Sequence, residues 1–375
     1  MRLHRGTLIS LVALLCCLVA TTSADVPWVI VDLGELPAGA LGGDYGINDW
    51  GYTVGSLDDA SGHEHAYMWD PNGVGYDLGT LGGSFSGAYG IADTPQRHTV
   101  GWSTDAANAS KATLWTSLAP GALPYLPGYS SSAEAWGISS TANYISGVSR
   151  APSTSSHAAV WEGATTWDVG EGVLYSINNA GQAAGFRGTH ALFAYKVGAA
   201  YVSTTDIDGG LFATSWAYDI NDAGRVIGFA KHLSTHPTRP NYLQAYRWDS
   251  TAGLVLLPTD LGTHSWAYGL NDSGDAVGAF EGLEGKRACL WDLDTADAPL
   301  DLNTLIDPDG GWFLVEAKDV NDDGWVVGWG KYRESASDPW QYRGYLLRPA
   351  PGLPAFALVG VAPLVAAVLR RRRSK

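Results

Sequence analysis

Hydrophobic and polar residues alternate over short stretches along most of the chain, and Gly, Asn and Asp separate these stretches. Between His65 and Trp69, for example, large aromatic residues alternate with Ala66 and Met68. Alternation with a period of two residues is the pattern of a half-buried β-strand. The body of the chain has no helix-length stretch with a 3.6-residue period, so the pattern predicts an all-β structure.

Three sequence units recur in a fixed order, and each occurs seven times. The first unit is an aromatic residue, any residue and an Ile, commonly followed by Asn-Asp-x-Gly and then by Val-Gly; its clearest copy begins at Tyr45 and ends with Gly55. The central apolar residues of the seven copies lie 39 to 50 positions apart: Ile47, Ile91, Ile138, Ile177, Ile220, Leu270 and Val320. A repeat of this length is typical of propeller blades.

The second unit is a polar residue, Ala, any residue, an apolar residue, Trp and an acid, as in His65 to Asp70. The third unit is Asp-Leu-Gly or a relative of it. Its clear copies begin at Asp32, Asp77 and Asp301, and weaker forms lie near Leu123, Asp168, Asp206 and Asp260. The first copy of the third unit precedes the first repeat, and none follows the last repeat.

These observations predict a seven-bladed β-propeller of four-stranded blades in residues 25–348. The segment from Trp28 to Gly34 supplies the strand that the last repeat lacks, so it is expected to pair near Arg343 and close the ring. The same logic places the Asp-Leu-Gly strand outermost and the aromatic-x-Ile strand innermost in each blade. Closure removes exposed sheet edges. An open β-solenoid is the alternative.

The repeated residues have structural roles that follow from their chemistry. Asn, Asp and Gly in the first unit fit a tight turn, and the Gly after the Val fits a place where two strands approach closely. Recurrence of one residue type at the same position in five of seven blades indicates packing between blades rather than ligand binding. This applies to the Trp of the second unit: Trp69, Trp115, Trp161, Trp248 and Trp291.

The two ends of the chain differ from the repeats. Residues 1–24 have a short basic start, an apolar run and small residues before a cut expected after Ala24, which together indicate a secretory signal peptide; an N-terminal anchor is the alternative. Export removes Cys16 and Cys17 and leaves Cys289, which we interpret as a buried hydrophobe. The expected location is the extracellular face of a bacterial cell envelope.

The charge of the globular part is strongly negative. Seven of the 23 basic residues lie in the two terminal segments, which leaves 16 basic residues against 38 acidic residues. A surface this acidic repels phosphate backbones, so nucleic acid is not expected to be a partner.

The repeated units resemble those of the bacterial HAF-repeat extracellular proteins. The resemblance is carried by the run from Asp77 to Gly83, by Ala88 to Ile91, and by the segment from Asp301 to Trp312. It covers residues 28–349. It implies an extracellular repeat protein and brings no catalytic residues or cofactor with it.

Residues 349–375 begin with prolines, continue with an apolar run from Ala355 to Leu369 and end with four arginines and Lys375. This layout resembles a PEP-CTERM sorting tail, although Pro349-Ala350-Pro351 has no central Glu. The resemblance implies that the tail crosses the membrane at least transiently before it is cut. A simple C-terminal membrane anchor is the alternative.

Candidate chemistry is sparse. Asp319, Asn321 and Asp323 place oxygen ligands at alternate positions with Gly324 in the sixth, which matches the start of a calcium loop, although a plain turn explains the same residues. His63-Glu64-His65 has no visible third ligand for a transition metal. No nucleophile elbow, phosphate loop or paired-cysteine zinc spacing occurs, so no enzyme activity and no cofactor other than calcium are predicted.

Three classes of function follow from these observations. The first is a structural or adhesive envelope propeller that binds a surface polysaccharide or an envelope protein. The second is a carbohydrate-binding propeller, and the third is a polysaccharide hydrolase or lyase, for which no pair of facing acids can be chosen. Candidate sugar platforms are the tryptophans outside the recurrent position: Trp102, Trp216, Trp266, Trp329 and Trp340.

Overall fold

The computed structural model describes residues 28–36, 45–152, 156–204, 206–235, 241–259, 264–282, 285–295 and 297–350. The predicted signal peptide, its cut after Ala24 and the sorting tail beyond residue 350 lie outside these ranges. Within them the chain forms 28 strands and two short 3-10 turns, Asp206–Asp208 and Leu302–Thr304. No helix in these ranges has the length and apolar character needed to cross a membrane.

The strands form seven antiparallel sheets of four strands each, so the predicted seven-bladed propeller is confirmed. Blade 1 contains β2 (Gly46–Ile47), β3 (Thr53–Asp58), β4 (Glu64–Trp69) and β5 (Gly75–Asp77). Blade 2 contains β6 (Gly82–Ile91), β7 (Thr99–Asp105), β8 (Ser110–Thr116) and β9 (Ala119–Ala122). Blade 3 contains β10 (Ser132–Ile138), β11 (Tyr144–Arg150), β12 (Ser156–Glu162) and β13 (Thr165–Glu171).

The remaining blades have the same order from the innermost strand to the outermost. Blade 4 contains β14 (Val173–Ile177), β15 (Ala183–Arg187), β16 (His190–Val197) and β17 (Ala200–Thr204). Blade 5 contains β18 (Phe212–Ile220), β19 (Val226–His232), β20 (Leu243–Asp249) and β21 (Gly253–Leu256). Blade 6 contains β22 (Ser265–Leu270), β23 (Asp275–Gly282), β24 (Gly285–Asp292) and β25 (Leu300–Asp301). Blade 7 contains β26 (Trp312–Val320), β27 (Val326–Tyr332), β28 (Gln341–Pro349) and, from the start of the chain, β1 (Trp28–Glu35).

The ring closes as the sequence predicts. Strand β1 pairs antiparallel with β28 from Trp28 opposite Pro349 to Glu35 opposite Arg343. An ion pair of 2.9 Å between Arg343 and Asp32 joins the two strands at their surface. Leu33, on β1, is 1% exposed and packs in the core between blades 7 and 1. The Asp-Leu-Gly strand is therefore outermost, and seven blades close without an unpaired strand among the described residues.

The core lies between neighbouring blades. Trp115 of blade 2 is fully buried against Val54, Ala66 and Met68 of blade 1. Trp161 is buried against blade 2 and donates a hydrogen bond from Nε1 to the Pro124 carbonyl oxygen. The recurrent tryptophans thus pack between blades, as predicted.

The two faces of the ring differ. One face carries the Asn-Asp-x-Gly turns that join the first and second strands, and we call it the turn face. The other face carries the connections between blades and the loops between the second and third strands. The residue two positions before the end of each innermost strand lines the channel on the side away from these turns.

Candidate functional site

The central channel opens on the second face through a ring of seven side chains, one from each blade. We call this ring the collar and this face the collar face. The collar surrounds a cavity of about 120 Å³, which is continuous along the innermost strands with a cavity of about 260 Å³. Its members are Tyr45, Tyr89, Trp136, Tyr175, Tyr218, Tyr268 and Lys318.

A β-bulge places each collar residue of blades 2 to 7. In blade 2, Ala88 pairs with Gly101 and Gly90 pairs with Val100, so Tyr89 has no residue opposite it. The same residue is skipped in the other five blades. A bulge bends the strand and redirects the side chain of the extra residue. The collar therefore results from one local irregularity repeated around the ring.

The glycine after the Val in the first unit makes this bulge possible. A Cβ atom at Gly101 would overlap the carbonyl oxygen of Gly87 on the innermost strand. The equivalent glycines of blades 3 to 7 face the same kind of backbone oxygen: Gly147, Gly185, Gly228, Gly278 and Gly328. The close approach predicted from the sequence is confirmed.

The aromatic rings of the collar contact one another. Tyr89 and Trp136 stack with their centroids 4.1 Å apart, and Tyr175 and Tyr218 stack at 5.1 Å. Tyr218 also stacks on Phe229, at 5.4 Å. The stacked faces of these rings are covered by their neighbours. The aromatic side chains of the collar are thus packed against one another around the channel mouth.

Lys318 is the one cation of the collar, and a buried carboxylate holds it. Its ammonium group lies 2.8 Å from Glu316 and 4.3 Å from the ring centroid of Tyr268. Glu316 also pairs with Lys286 and accepts a hydrogen bond of 3.0 Å from Trp329 Nε1. Burial alone would raise the pKa of Glu316, but the ammonium groups of Lys318 and Lys286 lower that pKa to about 2. The cluster therefore ties blades 6 and 7 together beside the collar.

Two carboxylates lie in the channel below the collar. Asp219 accepts hydrogen bonds from Ser176 Oγ at 2.5 Å and from the backbone N–H of Leu270 at 2.7 Å. Asp319 accepts one from the backbone N–H of Ile47 at 3.0 Å. Each carboxylate thus joins its own blade to the next one. Burial raises the pKa of both side chains, and repulsion from Asp219 raises that of Asp319 further.

The Asn-Asp-x-Gly turns form the opposite, turn-face mouth. The Asn321 side chain donates to the carbonyl oxygen of Asn48 in the next blade at 3.0 Å, while its Oδ1 accepts from Trp325 N within its own turn. Asn48, Asn178, Asn221 and Asn271 each donate in the same way to the following blade. The predicted turn role of this Asn is confirmed, and the same side chain also links neighbouring blades.

The next position of the turn carries an acid in five of the seven blades: Asp49, Asp93, Asp222, Asp272 and Asp322. Their carboxylates accept a hydrogen bond from the backbone of the preceding blade, as Asp93 does from Asp49 N at 2.7 Å. Burial raises the pKa of Asp93 to about 6, and repulsion from the other acids raises it in the same direction.

Asp93→Asn is expected to raise the free energy of unfolding by about 1 kcal/mol at pH 8 and to leave it unchanged at about pH 3. Folding raises the pKa of this carboxyl from 3.8 to about 6, so its cost to stability grows from pH 4 to pH 6 and vanishes below pH 3.8, where the group is protonated in both states. Asn179 occupies the equivalent position in blade 4 and accepts a hydrogen bond from Thr141 N through its Oδ1, so an amide fits this site. Denaturant unfolding at the two pH values measures the effect, and an equal gain at both would contradict this cause.

The structure separates the three residues of the predicted calcium loop. Asp319 lies in the channel, Asn321 is held between two turns, and Asp323 is exposed on the turn face. Within the described ranges no group of three or more His, Cys, Asp or Glu side chains is arranged to hold a metal ion. Calcium binding by this loop stays a prediction.

The polar residue of the second unit pairs with the Asp of the third. His65 Nδ1 lies 2.9 Å from Asp77, and His157 Nδ1 lies 2.8 Å from Asp168. In blade 4 the partner of His190 is Asp208, at 2.9 Å. The sequence places the third unit of this blade near Asp206. The Asp that pairs with the histidine is Asp208, at the end of the 3-10 turn Asp206–Asp208. Asp260 lies outside the described residues.

The histidines that suggested a metal have other partners. Both His63 and His65 lie within 4.0 Å of Asp59, and His65 also contacts Asp77, so they belong to the surface of blade 1. Cys289 is fully buried, and burial raises the pKa of its thiol well above the ordinary value. This agrees with its interpretation as a small hydrophobic residue.

The five tryptophans proposed as sugar platforms differ in exposure. Trp329 is 6% exposed, and Trp102, Trp216 and Trp266 are half-buried. Lys286 covers Trp266 at 4.2 Å, and Trp216 contacts Phe229 at 5.1 Å. Trp340, in contrast, is 41% exposed. Trp340 is therefore the one of these five with a large open surface.

Trp340 lies in the loop between β27 and β28. Strand β27 runs from the turn face to the collar face, so this loop lies on the collar face. The neighbouring Tyr342 is 37% exposed. The loop is held by its own hydrogen bonds, from Ser335 N and Ser335 Oγ to Asp338. The collar face thus presents two exposed aromatic residues where an ordered loop joins β28.

No protein family model matches the chain, and no curated protein matches it in sequence. Among solved structures, it is similar to TolB from Acinetobacter baumannii, with 10% identity and a TM-score of 0.35 over 77% of this chain and 60% of that one. It is similar to a puromycin hydrolase, with 11% identity and a TM-score of 0.49 over 85% of this chain and 55% of that one. The BP39L lectin from Burkholderia pseudomallei shares 12% identity, with a TM-score of 0.39 over 84% of this chain and 97% of that one.

The chain thus spans less than two thirds of the first two of these proteins. At such identities the likeness concerns the fold and does not extend to activity or ligand.

Proposed function

We propose that the protein is an exported cell-surface propeller that binds a carbohydrate on its collar face and catalyses no reaction. The observation that carries this proposal is the pair of exposed aromatic side chains on the collar face, Trp340 at the end of an ordered loop and Tyr342 at the start of β28. Large exposed aromatic surfaces on a folded protein mark places where another molecule is bound. An aromatic ring with a polar tip suits a ligand that has both apolar and hydroxylated surfaces, as a sugar does.

The signal-like residues 1–24 and the sorting-tail layout of residues 349–375 support export to the envelope, where polysaccharides are abundant. The resemblance to HAF-repeat proteins supports the same location. Because stacking covers one face each of Tyr89, Trp136, Tyr175 and Tyr218, the ligand is expected to lie across the collar face outside the channel.

The positions of the channel acids support a binding role over catalysis. Asp219 and Asp319 lie behind the collar, and both accept hydrogen bonds from the backbone of the next blade. General acid–base catalysis requires a carboxyl within hydrogen-bond reach of the substrate. A polymer on the collar face does not reach these two, which fit a structural role.

Trp340→Ala is expected to weaken carbohydrate binding by about tenfold, which corresponds to about 1.4 kcal/mol. The full-length protein is tested first on an array of neutral, acidic and amino polysaccharides, and then in titrations with the best ligand. Trp50→Ala is the matched control, because Trp50 is 46% exposed on the turn face. Failure to retain any polysaccharide, or an equal loss in both variants, would count against the proposal.

Adhesion through a protein contact is the second candidate function. The outer hairpin of blade 4 exposes the cross-strand pair Tyr195 and Val202 at 40% and 39%, and Val197 at 54%. Exposed apolar side chains on neighbouring strand positions favour a protein partner at this edge. Loss of cell-surface attachment in Tyr195→Ser, with polysaccharide binding intact, would favour this role.

A further inference from the structure

We infer that the carbohydrate is an acidic polysaccharide, held by a strip of aromatic and basic residues on blade 7. The strip consists of Lys331, Arg333, Trp340 and Tyr342. This inference rests on the proposed function and adds the charge of the ligand to it.

Strand pairing brings the strip together. Lys331 on β27 is directly opposite Tyr342 on β28, and its ammonium group lies 5.9 Å from the ring centroid of Tyr342. The guanidinium group of Arg333 lies 4.3 Å from the ring centroid of Trp340. Trp340 and Tyr342 therefore each have a cation beside the ring.

These two cations lack the acidic partners that other cations of the protein have. Lys318 pairs with Glu316, and Arg343 pairs with Asp32. Among the residues that the structure describes, no carboxylate lies within ion-pair distance of Lys331 or Arg333. In a propeller with 38 acidic and 16 basic residues, two such cations two positions apart form a local site for negative charge.

The geometry of Arg333 fits a carboxylate or sulfate on the ligand. A guanidinium that stacks on an aromatic ring keeps its N–H donors in its own plane. One of them, on Nη1, donates to the Ala336 carbonyl oxygen at 3.1 Å, which fixes the orientation of the group. The remaining in-plane donors can bind an anionic oxygen, and the bond gains strength because both partners are charged.

Buried residues connect the strip to the collar. The ring centroids of Tyr342 and Trp329 are 6.0 Å apart. Trp329 Nε1 donates to Glu316, which in turn pairs with the collar residue Lys318. Because Trp329 and Glu316 are buried, they support the strip from below and leave Lys331, Arg333, Trp340 and Tyr342 to contact the ligand.

The test compares polygalacturonate, which carries carboxylates, with dextran, which is neutral. We expect the full-length protein to bind polygalacturonate at least tenfold more tightly than dextran at low salt, and to lose this preference at high salt. The double variant Lys331→Gln, Arg333→Gln is expected to lose at least tenfold in affinity for polygalacturonate.

Lys231→Gln is the matched control, since Lys231 holds the position in β19 that Lys331 holds in β27. It should bind like the wild type. The single variant Arg333→Lys keeps both positive charges of the strip and should retain part of the affinity. This result would distinguish a loss of charge from a change in the structure of the loop.

The outcomes separate the two proposals. If dextran binds as tightly as polygalacturonate and Trp340→Ala weakens both, the inference of an acidic ligand is overturned and carbohydrate binding stands. If the double variant binds polygalacturonate like the wild type, the strip is not the site. If no polysaccharide binds, both the proposed function and this inference fail.

Discussion

Replacing Gly101 with alanine is expected to lower the free energy of unfolding by roughly 3 kcal/mol or more, or to prevent folding. The added Cβ would overlap the carbonyl oxygen of Gly87. That oxygen belongs to the innermost strand just before the bulge at Tyr89, so it cannot move away without disturbing the collar and the strand pairing around it. Denaturant unfolding, or the soluble yield if the variant does not fold, measures the effect.

Gly121→Ala is the control in the same blade. Its added Cβ would have one neighbour, the Leu114 carbonyl oxygen at 3.6 Å, which is an ordinary contact distance. We expect this variant to stay within about 0.5 kcal/mol of the wild type. Similar losses in the two variants would show that the clash at the bulge is not the cause.

Replacing Glu316 with alanine is expected to cost about 3 kcal/mol at pH 7. The change leaves two ammonium groups, Lys286 and Lys318, side by side without their shared carboxylate, and it leaves Trp329 Nε1 without its acceptor. Removing one partner of a buried ion pair costs more than the pair contributes, because the remaining charges stay desolvated. Thermal or denaturant unfolding measures the loss.

The difference between wild type and Glu316→Ala should depend on pH in a defined direction. The pKa of Glu316 falls from 4.5 to about 2 on folding, so this carboxylate stabilises the protein fully above pH 5. Its contribution shrinks as the pH falls through 4.5 and is lost near pH 2. A difference that stays constant from pH 7 to pH 3 would contradict the assignment.

Glu134→Ala provides the comparison for this experiment. Glu134 holds the same position relative to the collar in blade 3 and pairs with Arg150 at 2.6 Å, but its side chain is 22% exposed and Arg150 is 34% exposed. An ion pair with this solvent access contributes about 1 kcal/mol or less. Comparing the two variants therefore shows how much of the loss in stability depends on burial of the ion pair and how much on the pairing alone.

Much of the fold could be predicted from the repeats. The seven copies of the first unit give the number of blades, and the displaced copy at Asp32 gives the closure between β1 and β28. The recurrence of Trp115 and its equivalents gives the packing between blades. These features depend on residue type at a fixed spacing, which the sequence displays directly.

The collar could not be predicted in the same way. A regular strand would place Tyr218 and Asp219 on opposite faces, because side chains alternate with a period of two. The bulge breaks this alternation, and both residues line the channel. The sequence did contain one signal for the bulge, the glycine of the Val-Gly pair. A glycine is needed at that position only where two backbone segments approach each other closely.

The candidate binding residues were predicted in part. Trp340 was among the proposed sugar platforms and is exposed, whereas Trp329, from the same group, is buried by Glu316 and blade 1. Burial of Trp329 depends on residues hundreds of positions away in sequence, which a local pattern does not reveal. The role of Lys331 was missed because its aromatic partner, Tyr342, lies on another strand.

The pairing of Trp28 with Pro349 has a consequence for how the molecule is assembled. The first strand to be synthesised has to wait for the last strand before it finds its neighbour, so the growing polypeptide is an incomplete arc with bare ends through almost all of its synthesis. A chain that stops before β28 would keep those ends open, and we expect it to associate with other copies.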